Sequence, residues 1–107
     1  MAKFAEKFTK AVAKKMLGDV PQEKQFWFSD GRALKNLPEL EAALKGMREE
    51  TFRYHSNEAK NDFSKWVKDV IGDEKLSRDL LKSSSRAEAA KSVASRIAWL
   101  RSKMAGV

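Results

Sequence analysis

The stretch Tyr54-His-Ser-Asn-Glu-Ala-Lys-Asn-Asp-Phe-Ser-Lys-Trp-Val-Lys-Asp-Val-Ile-Gly-Asp73 is where hydrophobic spacing, capping residues and polar composition agree most closely. Phe63, Trp66, Val67, Val70 and Ile71 recur at i, i+3, i+4, i+7 and i+8, which places them on one face of a helix. A face of that size must be buried, so the stretch reads as the central helix. Asn61 or Asp62 can cap its start with a side-chain oxygen. Gly72 can turn left-handed just past its end, and Asp73 can cap a helix that follows.

Toward the N-terminus, Arg48 to His55 reads as a short helix with Phe52 and His55 on a common side, although the alternation in Thr51-Phe-Arg-Tyr54 leaves a strand open. Asn36-Leu-Pro-Glu39 is a helix start, with Asn36 as cap, Pro38 in the first turn and Glu39 where a capping-box carboxylate belongs. Leu37, Leu40, Ala43 and Leu44 form the buried face of that helix, Met47 extends it by a turn, and Gly46 weakens or stops it. Gln25-Phe-Trp-Phe28 is aromatic and too short for a helix. It runs into Ser29-Asp-Gly-Arg32, a turn signal, and Ala33-Leu34 can return as the partner strand of a hairpin that needs helices against it. One glycine without a strand-to-helix phosphate loop carries no nucleotide signature.

From Ala2 to about Leu17, Phe4, Phe8, Val12 and Met16 recur every fourth residue, and Lys3, Lys7, Lys10 and Lys14 form a separate stripe. Gly18 and Val20-Pro21 end this amphipathic helix. A basic amphipathic helix can lie on an anionic membrane, but its small residues and lack of Trp favour docking on the core or in a partner's groove. Toward the C-terminus, Glu74 to about Lys82 is expected to be helical with Leu76, Leu80 and Leu81 inward. Ser83-Ser-Ser85 is the linker-like run, and its serines can cap the last helix, Arg86 to Met104. There Ala90, Val93, Ile97, Leu100 and Met104 make a heptad-like seam that needs a helical partner, either the N-terminal helix or a second copy.

At 107 residues the chain has the size of one domain. An apolar content of 42%, with six Phe and three Trp, supports a packed core. There is no cysteine and a single histidine, so neither a disulfide framework nor a self-contained zinc site is expected. No run approaches about 18 apolar residues and no signal-peptide core is visible, so integral membrane association is not expected and a cytoplasmic location is. The net charge of +7 is unevenly spread. In residues 1 to 19, five lysines against Glu6 and Asp19 leave +3; in residues 84 to 107, five basic residues against Glu88 leave +4; the middle is neutral. Such an excess suits a polyanionic partner, and it also serves solubility alone.

Phe26-Trp-Phe-Ser-Asp-Gly31, Leu37-Pro-Glu-Leu-Glu-Ala-Ala-Leu44, Phe52-Arg-Tyr-His-Ser-Asn57 and Lys60-Asn-Asp-Phe-Ser-Lys-Trp-Val-Lys-Asp-Val-Ile-Gly-Asp-Glu-Lys-Leu76 resemble a small prokaryotic domain family of uncharacterised function. The resemblance covers about residues 26 to 81 and is most specific at His-Ser-Asn with the following Asn-Asp-Phe and Trp, positions 55 to 66. Members of this type stand alone or attached to other domains, which implies an interaction module. It implies no catalytic residue, and the basic terminal helices lie outside it.

His55, Asn57, Asn61 and Asp62 are the densest polar cluster, and with Asp30 they have the residue types of a general acid/base site. No nucleophile, oxyanion donor or substrate pocket accompanies them. They read better as structure, with His55 and Asn57 bonding to backbone in a turn and Asn61 or Asp62 capping the next helix. Asp30, Glu49, Glu50 and Glu58 lack the spacing of a calcium loop, and no metal or cofactor is expected. On the last helix Trp99 leaves the seam, with Arg96 and Lys103 on its side. An indole between two cations can stack on a base or meet phosphates, and it can equally pack at the edge of the core.

The expectation is a mostly α single domain over 1–107, a small helical bundle with a short strand or β-hairpin near 25–34. A basic N-terminal helix (1–19) and a basic C-terminal helix (86–104) flank a core over 24–82. Its expected role is non-catalytic contact with nucleic acid or a ribonucleoprotein through Lys3, Lys7, Lys10, Lys14, Lys15, Arg96, Trp99 and Lys103. The alternative is a protein-interaction or homo-oligomerising scaffold built on the seam of the last helix.

Overall fold

The last helix, α6 (Arg86–Met104), is the surface on which much of the chain is laid. The computed structural model describes residues 9–28 and 31–105. Before α6 come α1 (Lys10–Leu17), a 3-10 turn (Gln22–Lys24), strands β1 (Phe26–Trp27) and β2 (Ala33–Leu34), and helices α2 (Leu37–Gly46) and α3 (Glu49–His55). Then follow α4 (Asp62–Trp66), which widens into a π turn over Val67–Ile71, and α5 (Glu74–Lys82). The hairpin is antiparallel, with Phe26 opposite Leu34 and Trp27 opposite Ala33.

Local chemistry sets the helix starts. Side-chain oxygens of Thr9, Asn36, Asn61, Asp73 and Ser85 accept the backbone N–H three residues on, at the heads of α1, α2, α4, α5 and α6. Glu39 completes its cap by accepting from the Lys35 N–H at 2.9 Å. Gly72 follows the π turn at φ 86°, a left-handed conformation that favours glycine, and its N–H reaches the Val67 carbonyl at 2.8 Å.

The core has two parts. Phe26, Phe28, Phe52, His55, Phe63 and Trp66 make an aromatic cluster beneath the hairpin, with Phe63 stacked between Phe26 and Phe52 at centroid distances of 5.2 and 5.8 Å. The Trp66 indole N–H donates to the Lys24 carbonyl at 2.8 Å, which ties α4 to the segment entering β1. The aliphatic part is the α6 seam: Ala90, Val93, Ile97 and Leu100 are buried and Met104 half-buried, with α2 and α1 packed against α6. The seam is therefore covered by its own chain, and the C-terminal helix is a core element instead of an arm beside a core over 24–82. Arg86 locks this packing, donating to the Leu44 and Lys45 carbonyls at 2.6 and 2.8 Å and to the Glu49 carboxylate at 3.2 Å.

Two inward faces differ from the sequence expectation. On α5, Leu76, Ser77 and Leu80 are buried, while Leu81 is 63% exposed. Ser77 takes the inward place because its small side chain lets α5 approach α4. Ser64 Oγ donates to the Ser77 carbonyl at 2.9 Å, and Ser77 Oγ donates to the Ser64 carbonyl at 3.0 Å. On α1, Ala13 is fully buried with Met16 and Leu17 beside it, and Val12 turns outward. A small residue there lets α1 lie close on α6. The expected Phe4 and Phe8 positions fall outside the described residues.

Leu100 and Leu81 make a direct comparison. Leu100→Ala is expected to destabilise the fold by roughly 2–5 kcal/mol, and Leu81→Ala by no more than about 0.5 kcal/mol. Urea unfolding of the two variants checks this, and equal losses would contradict the assigned α5 face.

Candidate nucleic-acid interface

Several lysines in the middle of the chain already have carboxylate partners. Lys45 meets Glu41 at 2.9 Å, Lys65 meets Asp69 at 3.2 Å and Lys75 meets Asp79 at 2.6 Å, each one helical turn apart. Lys10, Lys14 and Lys15 are exposed on α1, which contains no acidic residue. Among the described residues, none of these three lysines lies within ion-pair distance of a carboxylate, and neither does Arg101 on α6. Because α1 packs on α6, the two basic segments of the sequence adjoin one another in space. Lys3 and Lys7 lie outside the described residues.

Arg96 has a different place from the one its sequence position suggests. Its guanidinium grips the Asp73 carboxylate with both arms, Nε to Oδ2 at 2.7 Å and Nη2 to Oδ1 at 3.0 Å. The two side chains are only 10% and 1% exposed. Asp73 Oδ1 also caps α5 by accepting the Leu76 N–H at 3.1 Å. Arg96 is thus a structural cation, and its charge is matched before any ligand arrives. Its guanidinium carbon lies 4.4 Å from the Trp99 ring centroid, and Lys103 Nζ lies 5.1 Å from it. The indole remains 38% exposed, so Trp99 sits at the edge of the core with part of its surface in solvent.

The polar cluster forms the turn between α3 and α4. Asn57 donates to the Arg53 carbonyl at 2.8 Å and accepts the Ala59 and Lys60 N–H groups at 2.9 and 3.2 Å. Asn61 caps α4 through the Ser64 N–H at 3.0 Å and reaches across to the Leu80 carbonyl at 3.2 Å. His55 departs from expectation. Its Nδ1 lies 3.0 Å from Asp62 Oδ2, a carboxylate and not a backbone group, while its ring packs 5.3 Å from Phe26 and 5.6 Å from Phe63. The reason is burial: a ring inside an aromatic cluster keeps one polar edge toward the nearest polar side chain. Burial opposes ionisation of Asp62, but the hydrogen bonds from His55 and Lys60, with the Lys60 charge, outweigh it and hold the carboxyl below its ordinary value. Among the described residues no three His, Cys, Asp or Glu side chains gather to hold a metal ion. Nor is any helix long and apolar enough to cross a membrane.

A groove of about 740 Å³ between α5 and α6 ends at Trp99 and is bordered by Lys82, Lys91, Ser92 and Ser95. No motif in the sequence marks these four residues. Their signal lay in the short Ser83-Ser84-Ser85 connection, which folds α5 back along α6 and brings the last turn of one helix beside the first turns of the other. At that connection Ser84 donates to Glu88 from its N–H at 2.8 Å and from its hydroxyl at 3.0 Å, holding the Glu88 carboxyl below its ordinary value.

Compared with known proteins, the chain matches no family model, no curated protein and no solved structure.

Two measurements test the buried polar contacts. Arg96→Met leaves the Asp73 carboxylate buried without its cation and is expected to cost about 3–5 kcal/mol, while Arg96→Met with Asp73→Asn recovers much of that loss. Denaturant unfolding of the single and double variants reads the difference. The lowered folded-state pKa of Asp62 means that its ionised form stabilises the fold above the ordinary carboxyl value near 3.8 and that this support is lost as pH falls through the lower folded value. Asp62→Asn should therefore flatten the acid limb of stability below about pH 5, measured by unfolding at stepped pH; an unchanged limb would contradict the shift.

Proposed function

We propose that this protein is a non-catalytic binding module that contacts nucleic acid or a ribonucleoprotein through its basic terminal helices. The observation that carries the reading is the distribution of charge after pairing. Carboxylates pair with Lys35, Lys45, Lys60, Lys65 and Lys75 in the middle of the chain, whereas Lys10, Lys14, Lys15 and Arg101 stand without an acidic partner among the described residues, gathered on two helices that touch. Cations arranged in this way interact with a phosphate backbone by releasing its counterions, with little dependence on base sequence. The helical framework and its cap-rich turns hold the presenting helices in place.

The alternative, assembly through the apolar seam of α6, finds less support. Four of the five seam residues are buried against the chain itself, and Met104 is half-buried, so little apolar surface is left there for a second copy.

The test is binding of a mixed RNA and DNA pool between about 50 and 200 mM salt. The affinity should fall steeply across that range, and Lys10→Ala with Lys14→Ala and Lys15→Ala should reduce the magnitude of the salt slope by about two to three. Binding that ignores salt, or a triple variant that binds like the parent, would overturn the reading.

A further inference from the structure

We propose that the groove between α5 and α6 seats a single strand of nucleic acid, with Trp99 stacking on a base at one end and Lys82 and Lys91 contacting phosphates along it. This rests on the polyanion reading above and adds a second site, a strand class and residues that reading does not use.

Three features favour it. First, the charges in the groove are already sorted. Asp79 is bound to Lys75 at 2.6 Å, Arg96 is bound to Asp73 at 2.7 Å, and Glu88 is held by two hydrogen bonds from Ser84. Lys82 and Lys91 are exposed on the two sides, and neither has a carboxylate within ion-pair distance among the described residues; the charge of Lys91 is also felt by Glu88 one turn before it. Second, an apolar ring stands beside these cations. Trp99 is partly exposed, with Arg96, held by Asp73, 4.4 Å from its ring centroid and the Lys103 amine 5.1 Å from it; a base stacks on the indole by displacing the flexible Lys103 side chain, whose charge then meets the backbone.

Third, the size and shape select the strand. A groove of about 740 Å³ lies within the range of small-ligand sites and accommodates a short run of nucleotides. A duplex keeps its base faces stacked inside and offers none to Trp99, whereas an unpaired strand offers every base. The hydroxyls of Ser92 and Ser95 border the same groove as donors without sequence preference. Stacking on an indole and contact with phosphates use features common to all nucleotides, so the binding should be weakly selective.

The experiment follows a labelled, unstructured oligonucleotide of about 12 nucleotides and a duplex of the same length by fluorescence anisotropy. Titrations use the parent protein, Trp99→Ala, Trp99→Phe, and Lys82→Ala with Lys91→Ala, each first checked for folding by circular dichroism and thermal unfolding. Trp99→Ala should weaken single-strand binding roughly tenfold with an unchanged salt slope, and Trp99→Phe should keep most of the affinity. The double lysine variant should reduce the slope by about 1.4, and duplex binding should not respond to Trp99. A free mononucleotide should not displace the strand at comparable concentration, because it lacks the neighbouring phosphates. Should Trp99→Ala lose its fold, the lysine variant still decides.

A folded Trp99→Ala variant or double lysine variant that binds the single strand as the parent does would overturn the groove, and the α1 lysine variant then reports separately on the wider polyanion reading. Equal Trp99 dependence for the duplex, displacement by mononucleotide, or the same Trp99-dependent binding of a polyglutamate peptide would each overturn it as well. Absence of binding to any nucleic acid at low salt would remove both proposals.

Discussion

The buried contact between Arg96 and Asp73 is the constraint on which the arrangement of the second half of the chain depends. Asp73 stands where three elements meet. It follows Gly72 at the end of the π turn, caps α5 with one carboxylate oxygen, and receives both arms of a guanidinium from the middle of α6. Pairs of this kind add little net free energy over an apolar pair of equal volume, but losing one partner is costly. What the pair determines here is position: α5 can lie along α6 only where Arg96 reaches Asp73. The same contact holds Arg96 beside Trp99, so one structural ion pair also shapes the end of the α5–α6 groove.

From that constraint the surface charge follows. The sequence carries its excess at both ends, and folding brings those ends together because α1 and α2 both lie on α6. Folding also removes cations from the surface ledger. Arg96 and Arg86 are turned inward to serve Asp73 and the end of α2, so the charge presented by α6 is smaller than its composition suggests. The exposed lysines of α1 and the flanks of the groove are among the cations that remain for a partner. Stability and presentation are therefore assigned to different residues of the same helix.

Much of the fold was legible because its signals are local. Asn36, Asn61, Asp73 and Ser85 cap helices by short hydrogen bonds within four residues, and the glycine after Ile71 is required by backbone geometry alone. The aromatic strand and the face from Phe63 to Ile71 were legible for the same reason. What escaped were contacts whose partners are distant. Nothing in the spacing of Leu76, Leu80 and Leu81 reveals that Ser77 meets Ser64 across a close helix pair, and the four-residue repeat of Val12 and Met16 conceals the inward Ala13. Likewise Arg96 looked like a ligand contact because the acid that claims it lies 23 positions earlier. The groove was invisible until α5 was folded onto α6, since its residues form no motif in sequence.

A polyanion that binds this surface must perturb the side chains that present charge and leave those bound inside the fold untouched. The direct measurement is a nitrogen-15 nuclear magnetic resonance titration of the protein with an oligonucleotide, following backbone amides of Lys10, Lys14 and Lys15, the three indole N–H groups and the Arg96 Nε–H. The lysine amides and the Trp99 indole are expected to move, while the Arg96 Nε–H and the Trp66 indole, bound inside the fold to Asp73 and the Lys24 carbonyl, stay in place. Shifts at Arg96 Nε–H and Trp66, with α1 and Trp99 silent, would contradict it.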